Sequence, residues 1–130
     1  MVEKHQKAVV TCSTAPKAVG PYSVGIKSGD FLFLSGQLGL DPISSDFVEG
    51  GVEAQTKQAL TNLQNVLQEE GADLSNVVKT IVFLSDINDF GKMNAVYAEF
   101  FKTDPPARST VAVSALPKSG LVEIEAIARI

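Results

Sequence analysis

Val77-Val78-Lys79-Thr80-Ile81-Val82-Phe83-Leu84-Ser85 is the stretch on which the fold turns. Period two puts Val77, Ile81 and Phe83 on one side and Val78, Val82 and Leu84 on the other. Both sides are apolar, which is the signature of a strand covered on both faces. Upstream, Ala59, Leu60, Leu63, Val66 and Leu67 recur at helical spacing and predict a helix over Val52–Glu70, with Gly71 as the residue that ends it. Downstream, Asn88 is expected to cap a second helix that runs to Phe101. Phe90, Met93, Val96, Tyr97, Phe100 and Phe101 form its apolar side, and Pro105-Pro106 bar its continuation. Further out, Ala8–Thr11, Ser23–Lys27 and Phe31–Ser35 read as strands, the last two joined by a hairpin turn at Ser28-Gly29-Asp30. Ser109–Ala115 and Val122–Ile130 read as two more. The order β-β-β-α-β-α-β-β is that of one α+β domain over residues 1–130. Right-handed crossovers place both helices on the same face of a mixed sheet. Two helices cover one face only, yet the central strand is apolar on both. The sequence therefore predicts that further copies of the chain cover the second face, with ligand clefts between subunits.

Composition narrows the chemistry. With 45% hydrophobic residues the chain has the material for a core, and no apolar run approaches the 18 residues of a membrane span. The charged start, Met1 to Lys7, does not read as a secretory leader, so the cytoplasm is the expected compartment. Eleven basic residues against fifteen acidic ones disfavour nucleic acid and anionic membrane as partners. His5 is the only histidine and sits in a polar segment expected to fray, which excludes mechanisms built on a buried imidazole base. One histidine and one cysteine, Cys12, make a zinc site implausible and an internal disulfide impossible. No phosphate-binding glycine motif of the Walker or dinucleotide type is present. No metal or cofactor is expected. Catalysis, if any, rests on carboxylates, arginine, lysine, tyrosine, hydroxyls and backbone groups.

The last strand is unusual. Val122, Ile124, Ala126, Ala128 and Ile130 alternate as an apolar side, leaving Glu123 and Glu125 beside Ile127 on the other. Two carboxylates there are either a solvated face or, beneath a second subunit, groups with raised pKa able to act as a base. Arg108 follows the stiff Pro105-Pro106-Ala107 turn. It is either a surface ion-pair partner or a fork that holds a carboxylate with two hydrogen bonds. Tyr22 and Ser35 supply hydroxyls in Gly20-Pro21-Tyr22-Ser23 and Ser35-Gly36-Gln37, where Gly36 permits close backbone approach. Taken alone, both segments are more often ordinary turn chemistry.

Pro106-Ala107-Arg108-Ser109 followed by Val122-Glu123-Ile124-Glu125-Ala126 resembles the C-terminal signature of the RidA/YjgF family, the reactive-intermediate deaminases also called the endoribonuclease L-PSP family. The likeness also takes in Gly20-Pro21-Tyr22-Ser23, Ser35-Gly36-Gln37, Val78-Lys79-Thr80 to Asp86, Asp89-Phe90 with Met93-Asn94, and Tyr97 to Phe101, in order. It implies a chorismate-mutase-like fold, a homotrimer with sites at the subunit interfaces, and hydrolysis of 2-imino acids such as 2-iminobutanoate and 2-iminopropanoate, or their enamines, to 2-keto acids and ammonia. In that reading Arg108 holds the substrate carboxylate and Glu123 positions water. Tyr22, Ser35, Gly36 and Thr110 contact substrate, and Glu125 is structural. Many members carry Cys where this chain has Thr110, so thiol-dependent reactivity is lost. A non-catalytic binder of small 2-keto acids is the main alternative. A ribonuclease or translation inhibitor is a lesser one, disfavoured by the net charge of −4 and the lone histidine.

Overall fold

The computed structural model describes residues 6–130. The expectation of a fraying segment around His5 lies outside them. Six strands form one sheet: β1 (Ala8–Val10), β2 (Gly25–Ser28), β3 (Phe31–Leu38), β4 (Val77–Leu84), β5 (Ala107–Ala112) and β6 (Val122–Arg129). Helix α1 (Gly51–Glu69) follows β3 and α2 (Phe90–Phe100) follows β4. The spatial order is β1-β2-β3-β6-β4-β5. β4 and β5 are parallel and every other pair is antiparallel. The expected α+β class, mixed sheet and one-sided helices are therefore present. What the sequence did not reveal is that the last strand inserts between β3 and β4.

Both helices pack on the face formed by Leu32, Leu34, Val82, Leu84, Val122, Ile124, Ala126 and Ala128, all buried. Val52, Ala59, Leu60, Leu63, Val66 and Leu67 of α1 and Met93 and Tyr97 of α2 complete that core. Each fully buried Leu or Ile contributes about 1.5–3 kcal/mol relative to exposure. Among the described residues no helix lies over the other face. Phe31 and Phe33 are 39% and 45% exposed, Val111 is exposed, and Ile81, Phe83 and Ile127 are half-buried.

Several boundaries move, each for a local reason. Val77 joins the helix-side core while Val78 is exposed, reversing the expected alternation at the start of β4. A bulge is responsible: Val77 pairs with Ala128 and Lys79 with Ile127, so the strand gains a residue and its parity flips. β3 runs on to Leu38, three residues past the expected end, and β5 lies at Ala107–Ala112 rather than at 109–115. Asn88 caps nothing. The Asp86 carboxylate accepts its N–H at 2.9 Å and opens a 3-10 turn, Ile87–Asp89, that leads into α2. Phe90 and Ile130, both expected in the core, are each 38% exposed.

The end of α1 follows expectation. Gly71 takes φ +74°, its N–H donates to Gln68 O at 3.0 Å, and the Ala72 N–H donates to Leu67 O at 2.9 Å. This is the double C-terminal closure that a left-handed residue makes possible. A Cβ at Gly71 meets open space, so only the backbone conformation is at issue. Gly71→Ala is expected to cost about 1 kcal/mol of stability. The denaturant midpoint should fall with an unchanged slope.

Candidate functional site

Two polar residues on the buried side of α1 organise the ends of the strands that matter. Asn62 donates from Nδ2 to Leu38 O (3.2 Å) and Leu40 O (3.0 Å), and its Oδ1 accepts from Gln58. Gln55 Oε1 accepts the N–H of Leu121, just before β6. The close of β3 and the start of β6 are thereby tied to one helix. Most buried amides in folded proteins make their hydrogen bonds, and the Asn62 amide does so at both ends.

Between these ties lies a second bulge. Leu34 pairs with Ala126 and Gln37 with Ile124, so Ser35 and Gly36 together face the single residue Glu125. The Glu123 side chain lies across Gly36: a Cβ there would sit 2.8 Å from Glu123 Cδ and 2.9 Å from Cγ. Tyr22, Ser35, Gly36, Leu38, Glu123 and Glu125 line one groove of about 450 Å³ on the open face of the sheet. Its rim includes Lys118, whose Nζ donates to Ser45 O at 3.4 Å. Asp41 shapes that rim by accepting the N–H groups of Ile43 (2.8 Å) and Ser44 (3.0 Å), which hold its carboxyl below the usual range. Ser35 is less free than the sequence suggests. Its hydroxyl donates to Ser23 O at 2.6 Å, leaving lone pairs to accept but no proton to give. Tyr22 is half-exposed.

Burial pushes the Glu123 carboxyl above its ordinary value, and the like charge of Glu125 pushes it further. Glu123 is half-buried in the groove, with Glu125 on the same side of β6. Gly36→Ala is expected to drive the Glu123 carboxylate out of place. The circular dichroism spectrum should be kept, and any rate that depends on that carboxylate should fall by tens of fold, since misplacement on this scale costs up to about a hundredfold.

Arg108 is elsewhere. It pairs with Thr80, whose side chain is buried beneath α2, so Arg108 lies on the helix side of the sheet. Glu123 is on the opposite side and two strands away, across β4. That is about 9–10 Å across the strands and about 10 Å along them, because Glu123 is level with Phe83 and Arg108 with Thr80, before the sheet's thickness is added. The guanidinium faces a groove of about 510 Å³ walled by Asn94, Tyr97, Ala98, Phe101 and Pro105-Pro106. Cζ of Arg108 lies 4.7 Å from the centre of the Tyr97 ring and 5.6 Å from that of Phe90. Among the described residues it has no ion pair, so the surface ion-pair reading finds no partner. A cation without a counter-charge at the edge of a groove is suited to taking an anion. Thr110, two residues on, keeps to the same side with its hydroxyl oxygen buried and unpartnered among the described residues. It lines neither groove.

One protomer thus gathers Tyr22, Ser35, Gly36 and Glu123 and leaves Arg108 apart. Sequence reading did not single out Asn94 as a site residue; its Oδ1 is buried without a partner among the described residues, in the groove that Arg108 faces. Its place four residues after Phe90 and three before Tyr97 is the available signal, since that spacing keeps it on the face of α2 turned to β5.

Solved structures share this fold closely. The Rid-family protein YyfA of Yersinia pestis superposes with a TM-score of 0.93 at 46% identity, covering 96% of this chain and all of that one. RidA from an Antarctic Psychrobacter superposes at 0.91 with 41% identity, over 95% and 99% of the two chains. The family profile described as "Endoribonuclease L-PSP" matches residues 12–130, and the chain belongs to that family, the RidA/YjgF family. A "RutC family protein" of Pyrococcus horikoshii is 50% identical over 122 residues, 94% of this chain and 97% of its own. The human protein named "2-iminobutanoate/2-iminopropanoate deaminase" is 46% identical over the same length, covering 89% of itself. No helix among the described residues is long and apolar enough to cross a membrane.

Proposed function

We propose that this protein is an imine deaminase acting on small 2-imino acids such as 2-iminobutanoate and 2-iminopropanoate, and that it works as a homotrimer in the cytoplasm. The observation that carries the reading is the division of the site. A guanidinium with no ion pair among the described residues stands at one sheet edge, and a carboxylate with raised pKa stands on the opposite, uncovered face. Relatives at 46% and 48% identity bear the deaminase name, which supports the same chemistry. A complete site then takes Arg108 from one copy and Glu123, Tyr22, Ser35 and Gly36 from the next. The exposed Phe31, Phe33 and Val111 give the apolar surface for that assembly.

The reaction asks little of the protein. Arg108 takes the substrate carboxylate through paired N–H donors. The ionised Glu123 accepts a hydrogen bond from water and aims its oxygen at the electrophilic iminium carbon. Water adds to carbon, the carbinolamine loses its C–N bond, and the nitrogen leaves as ammonia while the oxygen becomes the keto group. Protons move from water to the leaving nitrogen, with Glu123 as the relay. Positioning and electrostatics supply the acceleration, and no covalent enzyme intermediate is needed.

An amino-acid oxidase or threonine dehydratase can generate the imine in the presence of semicarbazide. With the protein added, less semicarbazone and more free 2-keto acid are expected, at a solution mass of about 41 kDa for three copies of the 13.8 kDa chain. Equal trapping with and without protein, across several imines, overturns the enzymatic reading. Tight 2-keto-acid binding in that case identifies a binder instead.

A further inference from the structure

Arg108 is held in an unusual way. Its guanidinium makes no hydrogen bond and no ion pair with any described residue, and its neighbours are two aromatic faces. Tyr97 is the inner one. It is buried, its hydroxyl is 2.7 Å from Thr80 Oγ1, and its ring packs on Phe101 with centres 4.7 Å apart. Thr80 is also the strand partner of Arg108. Tyr97 is therefore braced from the residue next to the arginine it supports. Phe90 is the outer one, two helical turns before Tyr97 and so on the same side of α2.

We infer that Phe90 and Tyr97 form an aromatic bracket that orients the Arg108 guanidinium, making them positioning residues for capture of the ligand's carboxylate. An acidic partner would hold an arginine as firmly, but it would cancel the charge and use the N–H donors. Aromatic faces attract the cation while leaving its donors, which lie in the plane, free for an anion. They also restrict a long side chain that otherwise loses rotamer freedom when its ligand binds. The role in carboxylate capture rests on the reading of Arg108 given above.

Phe90 is the residue to change, because its partial exposure lets Phe90→Leu keep the fold. In the wild type, the Arg108 Nε–Hε signal in 15N NMR spectra is expected to be ring-current shifted and restrained, and to lose both properties in Phe90→Leu. Phe90→Trp should keep them. An unshifted wild-type signal, or one indifferent to Phe90→Leu, overturns the bracket. For function, Phe90→Leu is expected to raise the Kd for 2-oxobutanoate, and KM more than it lowers kcat, by about five- to tenfold. Phe90→Trp should restore both. In an Arg108→Ala background the same change should cost nothing further. An equal loss in both backgrounds means that Phe90 meets the ligand itself, and overturns the positioning role. The two readings separate cleanly. Unchanged 2-oxobutanoate binding in Arg108→Ala defeats the carboxylate clamp, whereas the NMR signal judges the bracket alone.

Discussion

Arg108→Ala is expected to lower kcat/KM for 2-iminobutanoate by roughly two to three orders of magnitude, because losing one partner of a desolvated charge pair costs about 3–4 kcal/mol. The substitution should leave the fold intact. Arg108 makes no hydrogen bond or ion pair with any described residue, so its removal leaves none of their polar groups unpaired. Arg108→Lys should recover little, since an ammonium cannot present two parallel N–H groups to a carboxylate. The trapping assay measures the loss, and calorimetric titration with 2-oxobutanoate should show binding weakened in parallel. Full activity in Arg108→Ala sinks the clamp.

Glu123→Gln is expected to behave differently. The amide keeps the shape but cannot draw a proton from water, so kcat should fall by about two to three orders of magnitude while 2-oxobutanoate still binds. Co-expressing the two inactive variants then examines the division of the site. If each site joins Arg108 of one copy to Glu123 of the next, random assortment leaves about one site in four with both groups intact. Activity should return to about a quarter of the wild-type value. No recovery means that both groups come from the same copy. The pH dependence has a definite sign. In the proposed reaction Glu123 acts ionised, and burial raises its pKa, so the acid limb should lie above the ordinary glutamate range. Glu125→Gln removes the second cause and should move that limb down. Stability runs the other way. A raised pKa contributes stability only where the group is protonated, and that contribution is lost as pH rises through the folded value. Glu123→Gln should therefore stabilise the protein at neutral pH, with the gain vanishing below the normal glutamate pKa.

The helices and the uncovered sheet face were legible in the sequence because they rest on repeated spacing. Leu60, Leu63 and Leu67 leave little freedom for α1, and Glu123 and Glu125 could only share a side of β6. What escaped depends on single-residue irregularities and long-range register. The bulges at Val77–Lys79 and Leu34–Gln37 reverse a period-two pattern without any compositional mark. The second of them turns Ser35-Gly36 from the end of a strand into a part of one. The separation of Arg108 from Glu123 follows from Arg108 pairing with Thr80 rather than with a neighbour one residue away, a choice no local pattern records. Asp86 outcompeted Asn88 as a cap because its carboxylate reaches the N–H two residues on.

The position of β6 bears on how the protein is made. The strand reached last along the chain pairs on both flanks and joins β3 to β4. Until it leaves the ribosome, the two halves of the sheet have no common neighbour, and β3 and β4 each present an open ladder of N–H and C=O groups to other chains. Closure is a late, long-range event, which predicts slow folding for a protein of this size and a need to shield incomplete chains. The same strand carries Glu123, so a chain cut short before it would lack both a continuous sheet and the carboxylate to which the proposed reaction assigns the water.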